Sequence, residues 1–457
     1  VKLFGHHVHL PILLLALAEL GVSAAAFVGV SYWVGNEASG LRLVLRLVVF
    51  GGAVVLANTA MGLYQARQRL KIEGVVVRLA VALAGALAAL ALIDFILPFG
   101  VDPRLWMYSF GASLVLLTVG RIILWRLVDH DAFQRRILVY GAGSRASTLL
   151  QLRRRSDQRG FRIVAFVPAA SDKYVIDDSR VERLREGESL LEFAQRKDIE
   201  EIVVAMDDRR AGFPVAELLQ CKFAGIDVVD IVGFLERETG KLWVDLMNPG
   251  WLIFSEGLSA NLGRSTASRA LDLIGSAVLL TVCLPIMLLT AIAIPLESGW
   301  PILYRQQRVG LAGRTFTLYK FRSMVQDAEA DGKPRWATLG DERVTRVGRI
   351  LRKMRIDELP QLFNVLRGDM SLVGPRPERP EFVERLSQSI PYYHERHCVK
   401  PGVTGWAQLC HPYGSSEKDA LEKLQYDLYY VKHRNLLFDL GVLLQTAEVI
   451  FWGKGAR

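Results

Sequence analysis

The residues best suited to chemistry lie in RKMRIDELPQLFNVLRGDMSLVGPRP, Arg352 to Pro377. There Asp357 and Glu358 stand side by side after a run of arginines and shortly before Pro360. Adjacent carboxylates repel one another, but nearby cations favour the charged form of each, so both are expected to be ionised. An acid–base pair usually needs one raised pKa, which this setting does not suggest. Phosphoryl transfer has the opposite requirement. An ionised carboxylate can attack phosphorus and form an acyl phosphate when cations neutralise the phosphate it approaches. A second carboxylate can hold a divalent metal there, and arginine forks grip phosphate oxygens in pairs. Pro360 restricts the backbone of Leu359 and should help fix where the acids point.

Two other groups of residues invite chemistry. HCVKPGVTGWAQLCH sets His397 and Cys398 before a short loop and Cys410 and His411 after it. Two Cys and two His make a zinc set. Neighbouring residues do not easily converge on one ion, however, and no CxxC knuckle occurs, so a packed loop over the active site is the preferred reading. RRILVYGAGSRASTLLQL, from Arg135, reads as strand, glycine turn and helix, and Gly141, Gly143 and Ala146 approximate a dinucleotide fingerprint. The next strand ends in Val167-Pro168-Ala169, where an acid for a ribose is expected. Nucleotide binding and a structural or regulatory role both stay open for this segment.

These groups need elements to hold them. The 457 residues suffice for about three domains. A hydrophobic fraction of 51% and a mean hydropathy of +0.23 are high for a soluble enzyme. Four apolar runs, roughly 10–34, 43–63, 76–98 and 105–125, are long enough to span a bilayer. Arg67, Arg69, Lys71 and Arg78 follow the second run, and Arg121, Arg126, Arg135 and Arg136 close the fourth. The positive-inside rule therefore puts both ends of this bundle in the cytoplasm. Glu19, inside the first run, is expected to hydrogen-bond to a neighbouring helix with no charged partner at that depth. No cleavable signal is expected, because the first run exceeds a signal core and others follow it. The net charge of +9 calls for an anionic partner, and four cysteines without CxxC pairing fit a reducing compartment. With membrane segments present, a membrane surface and a phosphorylated substrate account for that charge, and no nucleic acid is expected.

Past residue 130, FRIVAFV, EEIVVAM and GIDVVDI alternate with helical stretches, which predicts a parallel doubly wound sheet. The fifth apolar run, Leu271 to Leu296, has arginines on both flanks and Pro285 near its middle. Proline lacks an N–H and clashes with the carbonyl of Thr281, so a kink is expected, and the helix can either dip into one leaflet or cross. From Glu342, arginines at 343, 346, 349, 352 and 355 recur every third residue, with Val344, Val347, Ile350, Leu351 and Met354 between them. This predicts an amphipathic helix with a basic face, suited to the headgroup layer.

YKFRSM (Tyr319 to Met324), LRKMRIDELPQLFNVLRGDMSLVGPRP and KPGVTGWAQL (Lys400 to Leu409) follow the proline-containing helix in order. Together they closely resemble the bacterial sugar transferase family, the monotopic phosphoglycosyl transferases, from about Ser265 to the C-terminus. The whole layout resembles the large form of that family. It implies a membrane protein of mixed α and α/β class: a four-helix transmembrane bundle over 1–130, a Rossmann-like α/β domain over 131–255, and a mainly helical catalytic domain over 256–457 with a re-entrant helix near 268–298. The implied reaction moves a sugar phosphate from a UDP-sugar to undecaprenyl phosphate, releasing UMP, at the cytoplasmic side of the bacterial inner membrane. Asp357 matches the nucleophile and Glu358 the second acid, expected to help bind Mg2+. Arg352, Lys320, Arg322, Arg376 and Asp427 match positions expected to line the site. Pro285 matches the break in the re-entrant helix, although Leu284 replaces the serine usual before it. The bundle and middle domain offer surface for a homodimer. A membrane-bound nucleotide-sugar dehydratase or epimerase would need TGxxGxxG and YxxxK, which do not occur after Gly143. A non-catalytic scaffold would leave the acids and arginines without a role.

Overall fold

The computed structural model describes residues 2–452 except 4–5, 8–9, 36–39, 65–71, 97–101, 128–133, 153–160, 170–171, 173–174, 209, 211, 248–261, 327–340 and 412–415. The chain forms two compact units, one running to Asn248 and the other from Pro249 onward, with a few residues at the extreme N-terminus exchanged.

The first unit opens with four long helices: α1 (Leu10–Val34), α2 (Leu41–Ala60), α3 (Ile72–Ile96) and α4 (Pro103–Leu127). Each is long and apolar enough to cross a membrane. α1 packs on α2 and α4, and α3 on α2 and α4. Phe27, Phe50, Trp106 and Phe110 fill the space between α1, α2 and α4, with ring centroids 4.7 Å apart for Phe50 and Phe110. Leu14, Leu17, Val48, Val115 and Val119 remain exposed on the outside, as a lipid-facing surface requires. Arg67, Arg69 and Lys71, on which the expected orientation leans, lie outside the described residues.

Glu19 departs from expectation. It has a charged partner, because α4 brings the Arg121 Nε to 2.6 Å from its Oε1. Tyr64 and Asn58 donate to the other oxygen at 2.6 and 3.2 Å. A carboxylate removed from water needs such pairing to remain charged, and the cation lies 102 positions away in sequence, where helix periodicity does not reveal it.

Four parallel strands follow in the same unit: β1 (Arg135–Tyr140), β2 (Phe161–Val167), β3 (Glu201–Val204) and β4 (Asp227–Asp230). Their spatial order is β2-β1-β3-β4, with α5 (Ser144–Leu150), α6 (Leu190–Arg196) and α7 (Val215–Phe223) as crossovers and α8 (Ile231–Thr239) after β4. β3 is buried at every position, the mark of a strand covered on both faces. Leu138, Ile202, Phe193 and Leu218 belong to the core between sheet and helices. At the base of the sheet, Arg135 and Arg237 pair with the buried Glu201 and Glu238.

The second unit begins with α9, a helix of 37 residues from Leu262 to Ser298. It is helical straight through Pro285 and Pro295, so the expected interruption is not a gap in the helix. After it come the antiparallel hairpin β5 (Leu303–Val309) and β6 (Thr315–Phe321), α10 (Arg346–Lys353), α11 (Gln361–Arg367) and β7 (Ser371–Val373). α12 (Pro380–Ser389), β8 (Gly402–Thr404), α13 (Trp406–Cys410), α14 (Glu417–His433) and α15 (Leu436–Trp452) complete it. β7 and β8 pair in parallel. Met287 and Ile294 of α9 share an apolar core with Phe321 and Leu351, which ties the long helix to β6 and α10.

Candidate active site

The basic amphipathic helix is shorter than its arginine repeat. Thr345 caps it, accepting from the Gly348 N–H at 2.9 Å, and the helix stops at Lys353. Arg355 then takes a left-handed conformation with φ 59°, which costs a non-glycine residue about 1 kcal/mol. The next three residues, Ile356 to Glu358, form a single 3-10 turn. Leu359 stays in the α region despite the following proline, and Pro360 caps α11 instead of holding Leu359 extended. This turn reverses the chain and leaves both acids buried, each 8% exposed.

The two carboxylates have different surroundings. Glu358 Oε1 receives Lys320 Nζ at 3.0 Å and an Arg376 guanidinium nitrogen at 2.7 Å. Arg355 lies 3.6 Å from Oε2. Burial opposes ionisation of Glu358, but Arg376, Lys320 and Arg355 outweigh it and hold the carboxyl far below the usual range. Asp357, by contrast, accepts no side-chain hydrogen bond among the described residues. Burial pushes its pKa up to about 6, opposed by Lys320 and assisted by the charge of Glu358. The expectation that neighbouring cations would lower both values therefore fails for Asp357, because desolvation outweighs cations bonded to its neighbour. At pH 7 it is still mostly ionised.

Two of the candidate lining residues, Lys320 and Arg376, meet Glu358 directly. Arg322 does not. It is 6% exposed and donates to the carbonyls of Ser298, Gly299 and Trp300, closing the C-terminal end of α9. β6 ends at Phe321, so the alternation that would have put Arg322 on the same face as Lys320 no longer applies. Asp427 also stands back: it pairs at 2.8 Å with Arg396, whose guanidinium donates to the Arg376 carbonyl at 3.0 Å. Arg352 sits half-buried in the last turn of α10, with no ion pair to the acids among the described residues. Arg355 takes that place. Its signal was present in the arginine repeat, but the turn that redirects it was not legible. His397, Cys398, Cys410 and His411 do not gather, and no group of three or more metal-ligating side chains occurs among the described residues. His411 instead lies 3.2 Å from Asp419.

The glycine turn of the α/β domain is filled by the chain itself. Asp207 accepts from the amides of Ser144 and Arg145 at 2.9 and 2.8 Å. Asp172 accepts from those of Ala142, Ala169 and Asp207. A Cβ on Gly143 would fall 2.0 Å from an Asp207 oxygen, so glycine here admits a carboxylate of the protein.

Two carboxylates facing three side-chain cations on a membrane-associated helical scaffold fit a phosphate-transferring enzyme. A family model for bacterial sugar transferases matches residues 263–453, and one described as a CoA-binding domain matches residues 59–212. The chain is 31% identical over 369 residues to an undecaprenyl-phosphate glucose phosphotransferase of Komagataeibacter xylinus, covering 79% of this chain and 68% of that protein. It is 30% identical over 383 residues to a UDP-glucose:undecaprenyl-phosphate glucose-1-phosphate transferase of Escherichia coli strain K12, covering 80% and 79%. Over 251 residues it is 42% identical to a UDP-N-acetylgalactosamine-undecaprenyl-phosphate N-acetylgalactosaminephosphotransferase of Aeromonas hydrophila, covering 55% of this chain and 58% of that protein. The chain belongs to the bacterial sugar transferase family and is an enzyme of the phosphoglycosyl transferase kind.

Proposed function

We propose that this protein transfers a sugar phosphate from a UDP-sugar to undecaprenyl phosphate through a covalent intermediate on Asp357, as the first membrane step of a surface glycan. The observation that carries this reading is the asymmetry of the two acids. Glu358 is fastened by cations, while the carboxylate of the buried Asp357 beside it accepts no side-chain hydrogen bond among the described residues. In the first step an Asp357 oxygen bonds to the β-phosphorus, the bond from that phosphorus to the bridging oxygen breaks, and UMP leaves. In the second, a phosphate oxygen of the lipid bonds to the same phosphorus and Asp357 departs as a carboxylate. Lys320, Arg355 and Arg376 leave one positive charge in excess over the two acids, which favours a diphosphate in the same space.

Mg2+ is expected with Glu358 as its protein ligand. Oε1 is occupied by Lys320 and Arg376, while among the described residues Oε2 has Arg355 alone, at 3.6 Å, which suits a cation that takes one or two carboxylates plus phosphate and water. When bound, the ion supplies further neutralisation of the diphosphate.

Entry of α9 from one side and return to it is supported by how the helix is held. Near its start, Asp272 accepts from the Ser371 hydroxyl and the Leu372 amide, both at 2.8 Å. Near its end, Glu297 accepts from the amides of Arg346 and Val347 at 2.7 and 3.0 Å. Between these anchors runs about 37 Å of helix contour at 1.5 Å per residue, enough to cross the roughly 30 Å of hydrocarbon if straight. A return to the same side therefore requires a bend in the continuous helix, for which Pro285 is the candidate. One folded unit grips both anchors, so a straight crossing would have to place that unit on both sides. Ile274, Val278, Val282, Leu289 and Leu296, more than half exposed, give α9 the apolar surface that lipid would cover.

The test is to incubate membranes containing the protein with radiolabelled UDP-glucose, UDP-galactose or UDP-N-acetylgalactosamine. A chloroform-soluble product with equimolar UMP is expected for one or more of them. Label that stays in water, with the nucleotide sugar converted to another sugar, would favour a dehydratase or epimerase.

A further inference from the structure

α11 follows the acids almost directly, and the Asn364 side chain on it has no exposed surface. Its carboxamide makes two bonds to one neighbouring strand: Nδ2 donates to the Thr317 carbonyl at 2.8 Å, and Oδ1 accepts from the Tyr319 amide at 3.2 Å. A carbonyl can only accept and an amide N–H only donate, so the orientation of the carboxamide is fixed by its partners. β5 and β6 form a sheet of two strands, which leaves one edge of β6 without a strand beside it among the described residues. At that edge Asn364 does what a peptide unit of a third strand would do. The next residue along β6 is Lys320, which bonds to Glu358.

We propose that Asn364 is a positioning residue for phosphoryl transfer, clamping β6 to the helix that follows the two acids and so setting the approach of Lys320 to Glu358. This rests on the reaction proposed above. The Asn364 main chain is equally committed. Its carbonyl accepts from the amides of Gly368, Asp369 and Met370 where α11 ends, with Gly368 left-handed at φ 96°. Sliding β6 by a fraction of a residue would break both carboxamide bonds and move Lys320 away from Glu358. Glu358 would lose one of its two side-chain hydrogen bonds. Leucine has the same branched outline as asparagine, with methyl groups in place of the oxygen and nitrogen, but it would leave the Thr317 carbonyl and Tyr319 amide unpaired.

The test is a double-mutant cycle in the full-length protein, combining Asn364→Leu with Lys320→Met. Asn364→Leu alone should lower kcat about tenfold, and in the Lys320→Met background it should cost less than about twofold, because the group it positions is gone. Multiplicative losses in the double mutant would overturn the proposal. If Asn364→Leu does not fold, Asn364→Ala removes the same two hydrogen bonds without added bulk and should show the same non-additivity. Amide exchange at Tyr319 provides a readout independent of activity. It should accelerate in the variant, and unchanged exchange would overturn the clamp. A wild-type protein that releases no UMP from any UDP-sugar would instead overturn the proposed reaction.

Discussion

The molecule carries two pairs of acids at chain reversals, and they are neutralised in different ways. At the glycine turn of the α/β domain, Asp172 and Asp207 together accept five backbone amides and the Ser144 hydroxyl. Burial works against Asp207, but these bonds outweigh it and hold its pKa down. Amides cannot move away or change charge, so both carboxylates are spent on holding the turn. At the second reversal, Glu358 is met by side-chain cations and Asp357 accepts no side-chain hydrogen bond among the described residues. Side-chain cations can be shared with an arriving phosphate, which backbone amides already bonded within a turn cannot do without breaking it. A carboxylate closed by backbone is committed to its turn; one left open beside a cation-bound neighbour has the freedom that the proposed nucleophile requires.

The largest effect expected from this contrast is at Asp357. Asp357→Asn should lower sugar-phosphate transfer by at least about a thousandfold while leaving membrane insertion intact. Activity near wild type, measured by UMP release, would remove Asp357 from its role. Glu358→Gln should cost about a hundredfold. Because the charge of Glu358 raises the pKa of Asp357, the residual activity should keep its acid limb at lower pH than wild type. In the proposed reaction of the unaltered enzyme the essential form of Asp357 is the ionised one. Its activity should therefore be full well above pH 6 and fall about tenfold per unit below it. Lys320→Met removes a charge that favours ionisation, so its acid limb should move upward, with a loss of about tenfold at neutral pH. A limb that moves the same way in the Glu358 and Lys320 variants would contradict the opposite roles given to them.

The smallest effect on catalysis is expected at the other turn. Asp207→Ala should leave UMP release within about twofold of wild type. It should accelerate amide exchange at Ser144 and Arg145 by roughly 30-fold, equivalent to about 2 kcal/mol, the usual value of hydrogen bonds to a charged group. Exchange that stays slow would mean that those amides are held by something other than Asp207.

Much of the scaffold was legible because it repeats. The four long apolar helices and the four strands of the parallel sheet follow from hydropathy and period alone. The acids and two of their cations, Lys320 and Arg376, were legible because they lie in ordered motifs. What was missed depends on single backbone choices or distant partners. The left-handed Arg355 shortens the basic helix and turns its last arginine toward Glu358, and nothing in a non-glycine residue announces a positive φ. Arg322 shares a motif with Lys320, yet the strand ends between them. Asp427 was read as lining the site, but it pairs with Arg396 from another element, which in turn donates to the Arg376 carbonyl. The missing ribose acid after β2 drew attention to Val167 and Pro168, whereas the informative residues were Asp172 and Asp207, which fill the turn from within.

The decisive measurement is to mix the purified protein with a UDP-sugar donor and no lipid acceptor, then digest it and weigh the peptide bearing Asp357. A hexose-phosphate mass on that aspartate, with one equivalent of UMP released, is the predicted result. UMP that forms only when undecaprenyl phosphate is also present, with an unmodified peptide throughout, would contradict it.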